Sequence, residues 1–273
     1  MVAKAKAECH AQKCFFGILQ SMIDAHSHIH VRQFDADRDE VIKRAQAAGI
    51  TKMINVGFDI EGIFQAVALA KKHDFIYAAV GIHPHLASEW NEDSEEKIKK
   101  VVKMEEKIVA IGETGLDFYK NFQPVDLQEK AFRGQIKIAQ KFDLPIIIHC
   151  RDAYKDVFRI LEEEGMKRVL LHCFTGKMEE AVYALKMGYF LAFTGVITYP
   201  SAGDLREVAA QTPLGRILIE TDCPFLAPKS KRGQRNEPSF IPETYKEVAK
   251  IKKMSDADFI AAISQNASTF FKL

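Results

Sequence analysis

An eight-stranded barrel of the (β/α)8, or TIM-barrel, type is the α/β fold this sequence predicts, on three observations. Eight short apolar runs rich in β-branched residues follow one another without polar alternation, as parallel strands covered on both faces do. Segments with helical spacing lie between them, and the runs start every 21 to 37 residues, one strand and one helix apart. Histidine, glutamate or aspartate stands at the C-terminal end of runs 1, 3, 4, 5, 6 and 8, the end where barrel enzymes build their sites. An open doubly wound sheet is the competing arrangement.

The runs are residues 23–28, 52–57, 76–81, 108–113, 145–150, 168–173, 189–195 and 217–222. Stretches such as IVAIG, IIIHC and ILIET read as strands buried on both faces. Val41, Ile42, Ala45 and Ala48 share a helical face that stops at Gly49, and Ile63, Phe64, Val67, Ala68 and Ala70 form the next. Ile98, Val101, Val102 and Met104 follow an acidic start at Asp93 to Glu96, favourable at a helix N-terminus. Later helices are expected at about 126–142, 153–164, 179–187 and 242–252, with a last one capped by Ser255 and Asp258.

The chain has 273 residues, 47% hydrophobic and 27% charged, enough for one large core, and α/β barrels use about 250 residues as a single domain. No apolar stretch approaches the roughly 18 residues a membrane span needs, so no membrane partner is expected. The net charge of +1, from 38 basic and 37 acidic residues, gives no global field toward nucleic acid. Five cysteines without a CxxC pair or a secretory signal imply a reducing cytoplasm. Residues 1–21 carry three lysines before a short apolar stretch and read as a leader or disordered extension, leaving 22–273 as one barrel domain.

The chemistry is organised around Ile23-Asp24-Ala25-His26-Ser27-His28. Residues i and i+2 of a strand share a face, so His26 and His28 aim at one point while Ala25 and Ser27 turn away. Run 4 adds Glu113, run 5 His149, run 6 His172 and run 8 Asp222. One histidine at a strand end is commonly a hydrogen-bonded structural residue. Four imidazoles and two carboxylates on one mouth are a poor packing solution, because unpartnered buried polar groups are costly. Two divalent cations would use them all. Glu113 is assigned as the bridge, His26, His28 and Asp222 to one ion, and His149 and His172 to the other; Glu113 as a general base and Asp222 as proton acceptor stay open.

The motifs DAHSH, GIHPH, GETGLDFY, IHCRDA, LHCFTG, ETDCPFLAP and RNEP together resemble the TatD family of metal-dependent hydrolases, within the amidohydrolase-like barrels, from Met22 to about Phe271. The resemblance implies a (β/α)8 fold, a two-metal site and a Mg-dependent deoxyribonuclease, commonly 3′ to 5′ exonucleolytic on single strands. It supports the same six ligands and points to His83, in GIHPH, as a substrate-binding residue. Two departures are His30 after the HxH pair, read as a surface variant or an extra mouth residue, and the leader.

Phosphodiester hydrolysis fits these residues, with metal-activated water as nucleophile. Arg151 offers bidentate geometry for a phosphate. Lys229, Lys231, Arg232 and Arg235 supply a local positive field, and Phe118, Tyr119 and Phe174 are candidates for base stacking. Cys150, Cys173 and Cys223 are expected to turn away from the interior as small fillers, and Glu220 to hydrogen-bond a ligand. Imidazole ligands favour Zn or Mn, while the family's dependence favours Mg. The partner expected is single-stranded DNA, and the protein a monomer. The alternative is a metal-dependent hydrolase of an amide, ester or aminoacyl-tRNA ester bond, which the absence of a lysine at any strand end disfavours.

Overall fold

The computed structural model describes residues 21–273; the leader, apart from Ser21, lies outside the described residues. Eight parallel strands lie in sequence order around a barrel. They are β1 (Met22–Ser27), β2 (Ile50–Gly57), β3 (Ile76–Val80), β4 (Ile108–Asp117), β5 (Ile146–Arg151), β6 (Val169–Leu171), β7 (Phe190–Phe193) and β8 (Ile217–Ile219). The ring closes just past β8, where Asp222 N donates to His26 O at 2.9 Å and His28 N to Cys223 O at 2.8 Å.

Helices α1 (Arg38–Ala47), α2 (Ile60–Lys72), α3 (Glu92–Met104), α4 (Val125–Lys141), α5 (Tyr154–Glu163), α6 (Met178–Lys186), α7 (Gly203–Gln211), α8 (Ile241–Ile251) and α9 (Asp256–Phe271) follow the strands. α2 shows why they form. Asp59 caps its first turn through Gly62 N, and Ile63, Ala66, Val67 and Ala70 recur at helical spacing and are buried. Fully burying an aliphatic side chain of this size contributes about 1.5–3 kcal/mol. Asn91 and Ser94 form a capping box on α3, and Ser255 caps α9 through Asp258 N. Phe64 and Met104, expected on buried faces, are instead exposed. α7 was not expected from the sequence; its short GDLREVAAQ segment buries only Leu205, Val208 and Ala209.

The core has two parts. The larger lies between strands and helices. The smaller fills the barrel interior with Ile23, Ala25, Ile54, Val109, Ile147 and Leu218 among others, and includes Ala267, Phe270 and Phe271 from the end of α9. Phe270 packs against Phe190 at the start of β7, with ring centroids 4.9 Å apart, so α9 stoppers the N-terminal end of the barrel. The opposite end is open. No helix among the described residues is long and apolar enough to cross a membrane.

Strand ends differ from expectation where the site is built. β4 runs four residues past Glu113, whereas β6 and β8 stop before His172 and Asp222. Cys173 and Asp222 take left-handed backbone angles, φ +43° and +54°, which end the ladders and re-aim the chain.

Candidate metal centre

Each candidate ligand is placed by a local device. In β1 the register against β2 shifts between Asp24 and Ser27, a bulge that changes side-chain parity. Ala25 therefore joins the interior cluster rather than turning away, and His26 and His28 still converge. Asp24 anchors the strand to the loop after β8, accepting from Thr221 N at 2.9 Å and Thr221 Oγ1 at 2.6 Å. Glu113 is flanked by Gly112 and Gly115, with φ +143° and +140°. A Cβ at Gly115 would sit 2.1 Å from His149 O, so only glycine lets β4 lie this close to β5.

The six side chains meet at the open end. His26 Nε2 and His28 Nε2 are 3.0 Å apart. Glu113 Oε2 lies 3.4 and 3.6 Å from them, and Asp222 Oδ1 3.8 and 3.5 Å. The other oxygen, Glu113 Oε1, lies 2.8 Å from His149 Nδ1, 3.1 Å from His172 Nε2 and 3.3 Å from His83 Nε2. Donors sharing one tetrahedral ion with bonds of about 2.1 Å are about 3.4 Å apart. The contacts within the first group and those of Glu113 with each histidine of the second are near that spacing, and one carboxylate faces both; His26, Glu113 and His172 also lie within 4.8 Å of one another.

The hydrogen-bond acceptors behind the rings fit the same role. His28 Nδ1 is bound to Val56 O at 2.6 Å and His172 Nδ1 to Glu220 Oε1 at 3.0 Å, the contact expected of Glu220. His149 Nε2 is bound to Asp117 Oδ2 at 3.1 Å. Each ring thus directs its remaining nitrogen at the cluster, as a ligating histidine backed by an acceptor does. His26 Nδ1 is buried without a partner.

Electrostatics follow from this crowding. Burial alone would raise the Glu113 carboxyl, but His172, His83 and His149 hold it well below the carboxylate range. Burial also opposes charge on His172, yet Glu113 and Glu220 push its pKa well up. His26 is pushed down by burial and by His172. Burial takes His83 down to about 4, keeping it neutral.

A cavity of about 1080 Å³ opens over the cluster. His83, predicted from the resemblance, lies in its wall, and Arg151 is on the rim with its guanidinium 4.0 Å above the Tyr119 ring. Arg151 makes no ion pair among the described residues. Four expectations are corrected. Phe174 is buried and Phe118 packs on the core, so neither is free to stack a base. Cys173 lines the cavity instead of filling the space behind it, because of its left-handed turn, and Cys150 reaches the cavity wall while also packing on the core; Cys223 is a buried filler. The basic cluster lies off the cavity. Arg235 is spent on Asp37 at 2.7 and 2.8 Å, and Lys231 and Arg232 lie over Phe240 and Tyr199. His30 is neither a surface nor a mouth residue: it is 4% exposed, with Nδ1 3.2 Å from Asn55 Oδ1.

Sequence reasoning missed Phe58, Phe122, Phe225 and Lys120, which line the cavity, and Asp117. Phe122 and Phe225 are 63% and 49% exposed. Asp117 had a signal: it stands four residues after Glu113 in one strand, hence on the same face. The RNEP motif also gains a physical role. Asn236 Nδ2 holds Thr221 O and Phe225 O at 2.8 and 2.6 Å, while Arg44 binds Glu237, locking the Asp222 loop to α1.

Comparison with known proteins adds independent findings. The family model described as TatD related DNase matches residues 23–272. An uncharacterized metal-dependent hydrolase, YabD, of Bacillus subtilis is 42% identical over 254 residues, covering 92% of this chain and 99% of its own. A protein named 3′-5′ ssDNA/RNA exonuclease TatD, from Cronobacter sakazakii, is 37% identical over 257 residues, covering 92% and 97%. The crystal structure of YJJV, a TatD homolog from Escherichia coli, superposes with a TM-score of 0.88 at 29% identity, covering 94% and 99%.

Proposed function

The chain belongs to the TatD related DNases, a family of metal-dependent hydrolases, and from this premise we propose that it removes nucleotides from single-stranded DNA in the 3′ to 5′ direction. The observation that carries this reading is Glu113, whose two oxygens face different imidazoles, Oε2 those of His26 and His28 and Oε1 those of His149 and His172.

His26, His28, Asp222 and Glu113 would hold one divalent cation, and Glu113, His149 and His172 the other. Bound there, such a pair acidifies water and offsets charge on a phosphate. The remaining work belongs to side chains. Asp222 Oδ1, beside both β1 histidines, is placed to take the proton of the attacking water. His83, kept neutral beside Glu113, can hydrogen-bond a phosphate oxygen without opposing the cations. Arg151 and Lys120 on the cavity wall attract the backbone, and Phe58, Phe122 and Phe225 offer faces for unpaired bases. Four imidazole nitrogens favour Mn or Zn over Mg in the resting protein. All six donors come from one chain, supporting a monomer, and the three described cysteines are free thiols, supporting a cytoplasmic setting. No observation in the cavity favours the amide or ester alternative.

The test is product length. Metal-stripped protein given Mg, Mn or Zn should shorten 5′-labelled single strands by single nucleotides and release 3′ label at once. Glu113→Ala should abolish shortening and bind fewer ions per chain; unshortened oligonucleotides with every metal would sink the reading.

A further inference from the structure

Beside the donor cluster, the cavity wall holds a second arrangement of titratable groups. Asp117 is fully buried. Its Oδ1 accepts from Lys120 N at 2.8 Å, and its Oδ2 from His85 Nε2 at 2.7 Å and His149 Nε2 at 3.1 Å. Asp117 is thus the shared acceptor toward which both rings turn a nitrogen.

The two rings differ in what remains free. His149 has its other nitrogen on Glu113 and is committed to the cluster. His85 Nδ1 has no hydrogen bond and is not among the buried unpaired atoms. The His85 ring lines the cavity, 4.8 Å from the Phe122 ring. An imidazole whose Nε2 is held by a buried carboxylate is fixed in one orientation, which leaves the His85 Nδ1 as the ring's free nitrogen.

A rival reading is a third ion held by His83, His85 and His149, whose nitrogens lie within 4.8 Å of one another. It would have to draw His149 away, whose Nδ1 is turned to the donor cluster and whose Nε2 is bound to Asp117, and break the bond from His85 N to His83 Nδ1.

We propose that His85 protonates the leaving oxygen, with Asp117 as the residue that positions it. The inference rests on the phosphodiester reading above. The water oxygen forms the new bond to phosphorus and passes its proton to Asp222. The bond from phosphorus to the leaving oxygen breaks, that oxygen keeps the electron pair, and the His85 Nδ1 proton moves onto it. Solvent then reprotonates His85.

The experiment compares two substrates on metal-loaded enzyme: a single-stranded oligothymidylate, whose alkoxide needs a proton to leave, and thymidine 5′-(p-nitrophenyl phosphate), whose nitrophenolate does not. His85→Gln should lose about 100-fold or more in kcat on the oligonucleotide, with the nitrophenyl ester and the metal content per chain little changed. Retained nitrophenyl turnover also shows that the variant is folded. Asp117→Asn should lose turnover of both substrates and bind less metal, because it releases His149 as well. Equal losses by His85→Gln on both substrates, no loss on the oligonucleotide, or one ion fewer per chain would overturn the inference. Wild type that hydrolyses neither substrate would instead overturn the phosphodiester reading.

Discussion

Asp24 and Thr221, 197 residues apart in sequence, are joined by two hydrogen bonds of 2.9 and 2.6 Å where the first and last strands of the barrel meet. Both are buried. Asp24 stands two residues before His26 and Thr221 directly before Asp222, so the link fixes the spacing of two proposed ligands from opposite ends of the sequence. Thr221→Val keeps the shape and deletes the hydroxyl, leaving a buried carboxylate oxygen without its donor. It should cost about 2 kcal/mol of stability, read by thermal melting, and weaken metal binding in titration calorimetry.

Gly115 is a test of how β4 meets β5. Alanine there would require both φ near +140° and a Cβ 2.1 Å from His149 O. The backbone of one strand must then move away from the other. Gly115→Ala should lose at least about 2 kcal/mol, and metal content should fall with it, since His149 is the residue displaced. A melting temperature equal to wild type would refute the geometry.

Glu237 gives a pH-dependent prediction. Burial pushes its carboxyl up, but hydrogen bonds from Arg44 and Ser239 outweigh this and lower it from 4.5. A carboxyl with a depressed folded pKa contributes stability above its unfolded value and loses it as pH falls through the folded one. Glu237→Gln should therefore melt lower than wild type at pH 7, by about 1 kcal/mol given the exposed Arg44 partner. The gap should begin to shrink as pH falls below 4.5 and vanish once the folded carboxyl is protonated; a gap that widens on acidification would contradict the assignment.

Phe122 and Phe225 are large apolar side chains left in solvent at the cavity. Each, truncated to alanine, should raise KM for single-stranded oligonucleotides by the equivalent of about 1–3 kcal/mol, with kcat and melting temperature nearly unchanged. The control is an oligonucleotide lacking its terminal base, for which the variants should match wild type. An equal rise in KM on that control would remove the stacking role.

The fold was legible because eight apolar runs and the spacing between them are local properties of the chain. The convergence of six candidate donors was legible for the same reason: HxH on a strand, and Glu113 and His149 each closing an apolar run, announce themselves by position. What escaped depends on contacts between distant residues or on single backbone angles. The charge of Arg235 is cancelled by Asp37, 198 positions away, and no local pattern reveals that. Cys173 faces the cavity because one φ angle is left-handed. His30 was misread as peripheral because its partner, Asn55, comes from the neighbouring strand. Asp117 followed from parity alone, had β4 been extended four residues further.

The aromatic plug formed by Phe270 and Phe271 has a consequence for traffic. With that floor sealed, whatever enters must back out by the route it came, and a long polymer cannot be drawn through the ring as thread through a bead. Such a substrate can only dip a free tip into the bowl or lie across its lip, and each severed fragment has to leave past the chain it was cut from.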